Sequence, residues 1–127
     1  MPHHSRLSTL VIDCRVDDLR PALDFWSAAL GKPIAEPDED GDGRYAVLAT
    51  DDDEPLILLQ KVTHESRVHL DIESDDVDAE ADRLVRLGAR KIAFVKRWWV
   101  MEAPSGHRFC VVRVQRERSR RPFNAWE

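Results

Sequence analysis

One short run of the sequence alternates apolar and polar side chains in a pattern that could carry chemistry. Residues 68–73 read Val-His-Leu-Asp-Ile-Glu, so an extended chain places His69, Asp71 and Glu73 on one face and the apolar residues on the other. An imidazole beside a carboxylate can act as an acid/base pair, and histidine is also a common metal ligand. The same groups could equally form a self-satisfied network, so catalytic, metal-binding and structural interpretations stay open.

The elements that position this run begin with an apolar stretch, rich in β-branched residues, at 7–14, which predicts a strand. Apolar residues then recur every three or four positions, and this spacing predicts a helix that Asp17 or Asp18 caps. Pro21 suits the first turn of that helix, and Gly31 suits the left-handed residue that ends it. Shorter strands are expected near 32–36, 44–49 and 55–62.

The second half of the chain repeats this order of elements. The strand at 68–73 precedes a helix that one of residues 74–76 caps and that Gly88 ends, 57 residues after Gly31. Further strands are expected near 90–95, 98–102 and 107–114. The sequence therefore predicts an α+β fold of two tandem βαβββ modules, module one at 6–62 and module two at 66–115.

Length and composition limit the classes of protein to which this chain can belong. Its 127 residues are 43% hydrophobic and 34% charged, which suits a single folded domain, expected at 1–115. No apolar run approaches the ~20 residues of a membrane-spanning helix, and the net charge of −5 argues against general nucleic-acid binding. Two cysteines inside apolar runs and a start unlike a signal peptide predict a reduced, cytoplasmic protein.

The end of the chain is basic, and residues 116–127 are expected to form a tail. From Arg113 to the last residue there are five arginines, with Arg113 included. Phe123 and Trp126 are too apolar for a purely solvated end, so we expect them to dock on the body of the chain or on a second subunit. At the other end, the adjacent residues His3 and His4 are predicted to be disordered.

Four stretches of the sequence, taken in order, resemble a known superfamily. They lie at 10–14, 25–31, 67–72 and 103–110. Together with the paired βαβββ units, they resemble the vicinal oxygen chelate superfamily, which includes glyoxalase I, bleomycin-resistance proteins and extradiol dioxygenases. The local sequence looks like a glyoxalase-like branch of that superfamily, and the resemblance covers residues 6 to about 115.

The resemblance implies a sheet curled into a cup, with metal ligands that project inward from four strands. It places these ligand positions at Val11, Gln60, His69 and Cys110. Valine cannot bind a metal and glutamine is a weak donor, whereas His69 matches a family ligand. Cys110 stands where the family has glutamate and suits a soft metal as a thiolate. The resemblance thus implies an incomplete metal site, with His69 as its best candidate ligand.

Strand alternation selects the side chains that would line such a cup. With His69 inward, Val68, Leu70 and Ile72 are expected to face the helices. One of two adjacent tryptophans also faces inward, and an aromatic wall suits a flat or cationic ligand. The candidate pocket residues are Asp13, Gln60, His69, Asp71, Trp98, Arg108 and Cys110.

The resemblance implies a protein of the glyoxalase/bleomycin-resistance type that binds a small organic molecule in the cup without a full metal site. The alternative is an enzyme, either a metal-dependent lyase, isomerase or dioxygenase with an altered ligand set, or a metal-free acid/base catalyst that uses His69 and Asp71. The cofactor is accordingly either none or a divalent metal ion. A homodimer is expected, with a small-molecule ligand and without a nucleic-acid or membrane partner.

Overall fold

The computed structural model describes residues 2–35, 43–115 and 121–127. These residues form two helices and eight strands with both parallel and antiparallel pairing, so the predicted α+β class is confirmed. Within the described residues, no helix is long and apolar enough to cross a membrane. The chain divides into two compact units, Thr9–Val68 and Met1–Ser8 with His69–Glu127.

The unit at Thr9–Val68 contains the first helix. Its elements are the second part of strand β1 (His3–Cys14), helix α1 (Arg20–Leu30), strand β2 (Tyr45–Leu48) and strand β3 (Leu56–Lys61). Strand β3 pairs in parallel with β1 and antiparallel with β2. The strand expected near 32–36 is represented by a bridge between Ile34 and Leu48, and residues 36–42 lie outside the described residues. The buried core consists of Cys14, Leu19, Leu23, Leu48 and Leu59.

Helix α1 ends at the predicted glycine, but the prediction that Asp17 or Asp18 occupies its N-terminal cap position is wrong. Asp18 Oδ1 accepts a hydrogen bond from the Arg20 backbone N–H at 3.0 Å, although Leu19 occupies the cap position itself. Pro21 lies in the first turn, where a backbone N–H has no acceptor within the helix, so the N–H that proline lacks is not needed. Gly31 ends the helix with a φ of 66°, a left-handed conformation that costs a residue with a Cβ roughly 1–2 kcal/mol.

The other unit contains the second βαβββ module from His69 onward. Its elements are the first part of β1, most of strand β4 (Arg67–Ser74), helix α2 (Val77–Arg86), and strands β5 (Arg90–Val95), β6 (Trp98–Glu102), β7 (Arg108–Arg113) and β8 (Asn124–Trp126). Four of the strands have the order β4-β7-β6-β5, in which only the β4–β7 pair is parallel. Asp76 caps α2 by accepting a hydrogen bond from the Ala79 backbone N–H at 3.0 Å.

Helix α2 packs over β5, β6 and β7. Ala81 of the helix, Met101 of β6 and Val111 of β7 form the buried core of this unit together with Ala89. The expectation that Val68 and Leu70 face a helix is wrong, because both are exposed, Val68 to 57%. Among the described residues, α2 has few or no contacts with β4, which leaves the apolar face of that strand uncovered by it.

The two ends of the chain pair with each other. Strand β8 runs antiparallel to the start of β1, with Trp126 opposite His3 and Asn124 opposite Ser5. Trp126 Nε1 donates a hydrogen bond to Ser5 Oγ at 2.8 Å, and the Arg83 guanidinium lies 3.8 Å from the centroid of the Trp126 ring. The expectation that Trp126 docks on the body of the chain is therefore confirmed. The domain limits at 1–115 and 116–127 stay a prediction.

The predicted disorder of His3 and His4 is wrong. His3 is buried, and its Nε2 lies 2.8 Å from Glu80 Oε1 of helix α2. The His4 ring is exposed, but its Nδ1 lies 2.8 Å from Asp75 Oδ2. A terminal segment is ordered when strand pairing and ion pairs hold it, and both hold this one.

Replacing Trp126 by alanine is expected to lower the free energy of unfolding by about 1–2 kcal/mol. The variant loses one hydrogen bond to Ser5 and the cation–π contact with Arg83. Urea denaturation followed by circular dichroism measures the change. Leu87→Ala is the matched control, because Leu87 is a large, mostly exposed residue whose truncation should cost at most about 0.5 kcal/mol. Equal losses in the two variants would show that Trp126 does not hold β8.

Candidate functional site

The seven pocket residues predicted from the sequence divide between the two units. Asp13 and Gln60 lie in the unit at Thr9–Val68, whereas His69, Asp71, Trp98, Arg108 and Cys110 lie in the other. Within the second unit, three of the five come together: His69, Asp71 and Cys110, named here the His–Asp–Cys cluster. That any of the seven binds a ligand stays a prediction.

The pairing of β4 with β7 builds the His–Asp–Cys cluster. Asp71 lies directly opposite Cys110 in the register of these parallel strands, and His69 lies two residues before Asp71, on the same face. His69 Nε2 is 3.5 Å from Asp71 Oδ1, and one nitrogen, one oxygen and one sulfur of the cluster all lie within 4.8 Å of one another. All three side chains are partly buried, so the cluster is shielded yet reachable.

Asp71 carries an oxygen whose hydrogen bonding is incomplete. Its Oδ1 is buried and accepts no hydrogen bond from the residues that the structure describes. The nearby His69 Nε2, at 3.5 Å, is too distant for a good hydrogen bond. Buried side-chain oxygens almost always have a partner, so this atom is suited to a donor supplied by a ligand or to a cation.

The donor set of the cluster also decides which metal ions it fits. A catalytic zinc site has three protein ligands, and zinc takes histidine nitrogens, carboxylate oxygens and thiolate sulfurs. The cluster offers one of each, so it suits a borderline or soft ion. Magnesium and calcium prefer all-oxygen sites, so the cluster does not fit them. Val11, at a ligand position implied by the resemblance, is a buried apolar residue and contributes no donor.

Trp98 and Arg108 are not members of the cluster. Trp99 faces helix α2, where its Nε1 donates to Asp78 Oδ1 at 2.9 Å, so alternation puts Trp98 on the same face of the sheet as Cys110. Arg108 pairs with Glu102 instead, with 3.2 Å between Arg108 Nε and Glu102 Oε2. That Arg108 lines a ligand pocket stays a prediction.

Glu102 holds a further cation besides Arg108. Arg90 Nη2 donates to Glu102 Oε1 at 2.6 Å. Hydrogen bonding from Arg90, aided by Arg108, holds the pKa of the Glu102 carboxyl below its usual range, against the opposing effect of desolvation. Glu102 is therefore a carboxylate at neutral pH and keeps the Arg108 guanidinium engaged at the end of β7.

In the unit at Thr9–Val68, Asp13 and Gln60 are neighbours. They lie opposite each other in the parallel register of β1 and β3. Asp13 is buried, and its Oδ2 lies 3.7 Å from Arg67 Nε and 3.9 Å from His64 Nε2. Sequence reasoning missed His64 and Arg67 as partners of Asp13. The available signal was a histidine shortly before β4 and an arginine at its first position, in a chain whose first half is strongly acidic.

A family model for a glyoxalase-like domain matches residues 9–112 of this chain. The chain belongs to the glyoxalase-like family. This confirms the resemblance to the vicinal oxygen chelate superfamily that the four sequence stretches indicated. A search of curated proteins found no significant match to this glyoxalase-like chain.

Solved structures similar to the glyoxalase-like chain include several methylmalonyl-CoA epimerases. One, in complex with methylmalonyl-CoA and NH4+, is 21% identical and has a TM-score of 0.64, with 91% of this chain and 99% of that chain covered. The epimerase of Mycobacterium tuberculosis is 20% identical, with coverage of 87% and 89% and a TM-score of 0.63. A Streptomyces coelicolor epimerase variant with 2-nitronate-propionyl-CoA is 22% identical, with coverage of 90% and 97% and a TM-score of 0.61. These likenesses confirm the fold.

The family match separates two parts of the glyoxalase-like chain. The matched segment, 9–112, contains the whole His–Asp–Cys cluster. It excludes the start of β1 and all of β8, which pair with each other. The paired ends therefore lie outside the segment that the family model matches.

Proposed function

We propose that this glyoxalase-like protein binds a small organic molecule at the His–Asp–Cys cluster, without a complete metal site. The observation that supports this most is Asp71 Oδ1, which is buried and accepts no hydrogen bond from the described residues. A ligand donor at this oxygen would satisfy the carboxylate, and hydrogen bonds to charged groups contribute about 1.5–3 kcal/mol. The proposed ligand therefore carries a hydroxyl or amine group.

The surroundings of the cluster indicate the rest of that ligand. Val100 lies opposite Cys110 in the register of β6 and β7, and Trp98 lies two residues before Val100, on the same face. An apolar and aromatic surface beside one polar group is typical of small-molecule sites. The ligand is accordingly a molecule with a flat or apolar body and a polar end. With such a molecule bound, His69 and Asp71 would also be placed to move a proton as a metal-free acid/base pair.

A soft divalent metal ion held by His69, Asp71 and Cys110 is the second candidate. The closeness of the three donor atoms favours it, because ligand atoms around tetrahedral zinc lie roughly 3.3–3.8 Å apart, and His69 Nε2 is 3.5 Å from Asp71 Oδ1. When bound, such an ion would supply a Lewis acid that polarises a carbonyl oxygen of the organic ligand. The two candidates use the same side chains and differ in metal content.

Asp71→Asn is expected to weaken binding of the organic ligand at least about tenfold, because the amide removes the charge and half of the acceptor capacity. Thermal-shift assays with aromatic alcohols, aromatic amines and methylmalonyl-CoA identify a compound that raises the Tm of the unmodified protein, and calorimetry then gives its Kd. The control is Asp24→Asn, an exposed aspartate on α1 whose replacement should leave the Kd unchanged. A compound that binds both variants equally well would contradict the proposed site.

Elemental analysis of protein purified without a histidine tag separates the two candidates. Absence of stoichiometric zinc, nickel, manganese or iron, together with a bound organic compound, supports the first. One equivalent of metal that is lost in His69→Ala and kept in His107→Ala supports the second, since His107 lies on an exposed turn. If the protein contains no metal and no compound stabilises it, both candidates are contradicted.

The predicted homodimer is also part of this proposal. Val68 and Leu70 form an exposed apolar strip on the face of β4 opposite the His–Asp–Cys cluster. A second copy of the chain would remove this strip from water. Sedimentation velocity distinguishes the dimer from a monomer. A cytoplasmic location stays a prediction from composition.

A further inference from the structure

A pocket lies where the two ends of the chain meet, within the unit that contains β8. It has a volume of about 290 Å³ and is lined by His4, Asp75, Val114 and Phe123, which together are named here the end pocket. This volume is at the lower end of the range for small-molecule sites. Of the four residues, Asp75 alone lies inside the segment matched by the family model. We propose that the end pocket binds a small aromatic molecule that carries a hydrogen-bond donor, such as a phenol.

Asp75 sets the hydrogen-bonding character of the His4 ring. It accepts the His4 backbone N–H at 2.7 Å with one oxygen and meets the ring Nδ1 at 2.8 Å with the other. Burial raises the pKa of Asp75, but these hydrogen bonds from His4 outweigh it and lower the pKa below its usual range. Asp75 is therefore a carboxylate at neutral pH, so the ring proton belongs on Nδ1. In the neutral imidazole, Nε2 is then left as an acceptor on a half-exposed side chain.

The backbone of His4 is held from its other side as well. Its carbonyl oxygen accepts hydrogen bonds from Ser74 Oγ at 2.7 Å and from the Asp75 backbone N–H at 3.3 Å. Four contacts thus fix a residue close to the end of the chain. A group held in this way loses little conformational freedom when a ligand binds, which favours recognition by a small molecule.

Phe123 supplies an aromatic wall that is also held in place. The Arg6 guanidinium lies 3.8 Å from the centroid of the Phe123 ring, and Arg6 Nη1 donates to the Arg121 carbonyl oxygen at 2.6 Å. Together with Val114, the ring supplies the apolar part of the pocket lining, and His4 and Asp75 supply the polar part. Aromatic rings pack favourably on one another, so a ligand ring would pack on Phe123 while its hydroxyl donates to His4 Nε2.

Two matched compounds test this inference by protein NMR, namely p-cresol and 4-methylanisole, which has the same ring but a methylated oxygen. Both are expected to shift resonances of His4 and Phe123, with p-cresol binding about three- to tenfold tighter because it donates one hydrogen bond. His4→Ala should abolish that preference and leave the affinity for 4-methylanisole nearly unchanged. Phe123→Leu, which retains apolar packing but not the ring, should weaken both compounds.

Two control variants locate the binding. His107→Ala, on an exposed turn, and His69→Ala, in the His–Asp–Cys cluster, should each leave unchanged the p-cresol affinity measured from the His4 and Phe123 resonances. Loss of binding in His69→Ala would move the compound to the cluster and overturn the inference without affecting the proposed function. The inference would also be overturned if the two compounds bind with equal affinity, or if neither compound shifts the resonances of His4 and Phe123.

Discussion

Glu73→Gln is expected to lower the free energy of unfolding by about 3–5 kcal/mol, because it leaves a buried arginine without its carboxylate. Glu73 is 1% exposed and Arg6 is 4% exposed. Arg6 Nε donates to Glu73 Oε1 at 2.5 Å, and the Gln115 backbone N–H donates to the other carboxylate oxygen at 2.7 Å. Glutamine preserves the shape of the side chain but not the charge, so the loss measures the unpaired cation.

Urea denaturation at pH 7 measures this change. Asp24→Asn is the matched control, since Asp24 pairs with Arg20 at 2.9 Å on the exposed surface of α1 and its loss should cost at most about 0.5 kcal/mol. Combining Arg6→Met with Glu73→Leu should restore much of the stability, because replacing both charges by apolar groups removes the unpaired cation. A loss in Glu73→Gln no larger than in the control would show that the buried pair adds nothing.

Glu80→Gln is expected to have an effect of similar size, about 3–5 kcal/mol at pH 7, and to change how stability depends on pH. Glu80 is fully buried on α2. It accepts two hydrogen bonds from Arg83, each at 2.8 Å, and its Oε1 lies 2.8 Å from His3 Nε2. The amide would leave Arg83 and His3 facing a neutral group in a buried position.

The direction of the pH dependence follows from the pKa of Glu80. Burial raises this pKa, but hydrogen bonds from Arg83, His3 and Ser5 outweigh burial and lower it below its usual 4.5. A carboxyl whose pKa is lower in the folded state stabilises the protein fully above about pH 4.5 and loses that contribution as pH falls through the folded-state pKa.

Urea denaturation between pH 3 and pH 7 measures this contribution. The unmodified protein should lose stability in acid more steeply than Glu80→Gln, so that the two free energies of unfolding converge as pH falls. Asp24→Asn again supplies the reference for an exposed carboxylate, and its difference from the unmodified protein at pH 7 should be small. Parallel curves for the unmodified protein and Glu80→Gln would contradict the assignment of a stabilising charge to Glu80.

The elements of this fold were predictable because their signals are local. Helix α1 ends at Gly31, where a positive φ favours glycine, and helix α2 starts at Asp76, whose side chain accepts a backbone hydrogen bond three residues on. Both signals act within a few residues, so the sequence shows them directly. The strands of the second module agree with their predicted positions to within one residue at each end.

The candidate site was predictable in part. Alternation along one strand places His69 and Asp71 on the same face, whatever the rest of the chain does. The approach of Cys110 depends on the register between β4 and β7, which the resemblance implied and alternation alone does not determine. The same alternation also placed Glu73 on the face that carries His69 and Asp71, yet the Glu73 carboxylate forms an ion pair with Arg6.

The sequence by itself determined the βαβββ order, the helix ends and the face that carries His69 and Asp71, because periodicity and caps are properties of neighbouring residues. The tertiary structure alone decided that the segment around His3 and Arg6 is ordered. His3 meets Glu80 across 77 residues of sequence, and Arg6 meets Glu73 across 67. Each residue by itself is typical of a solvated surface. They become buried partners only when β1 comes together with β4 and α2, since a buried charge is stable only beside its opposite.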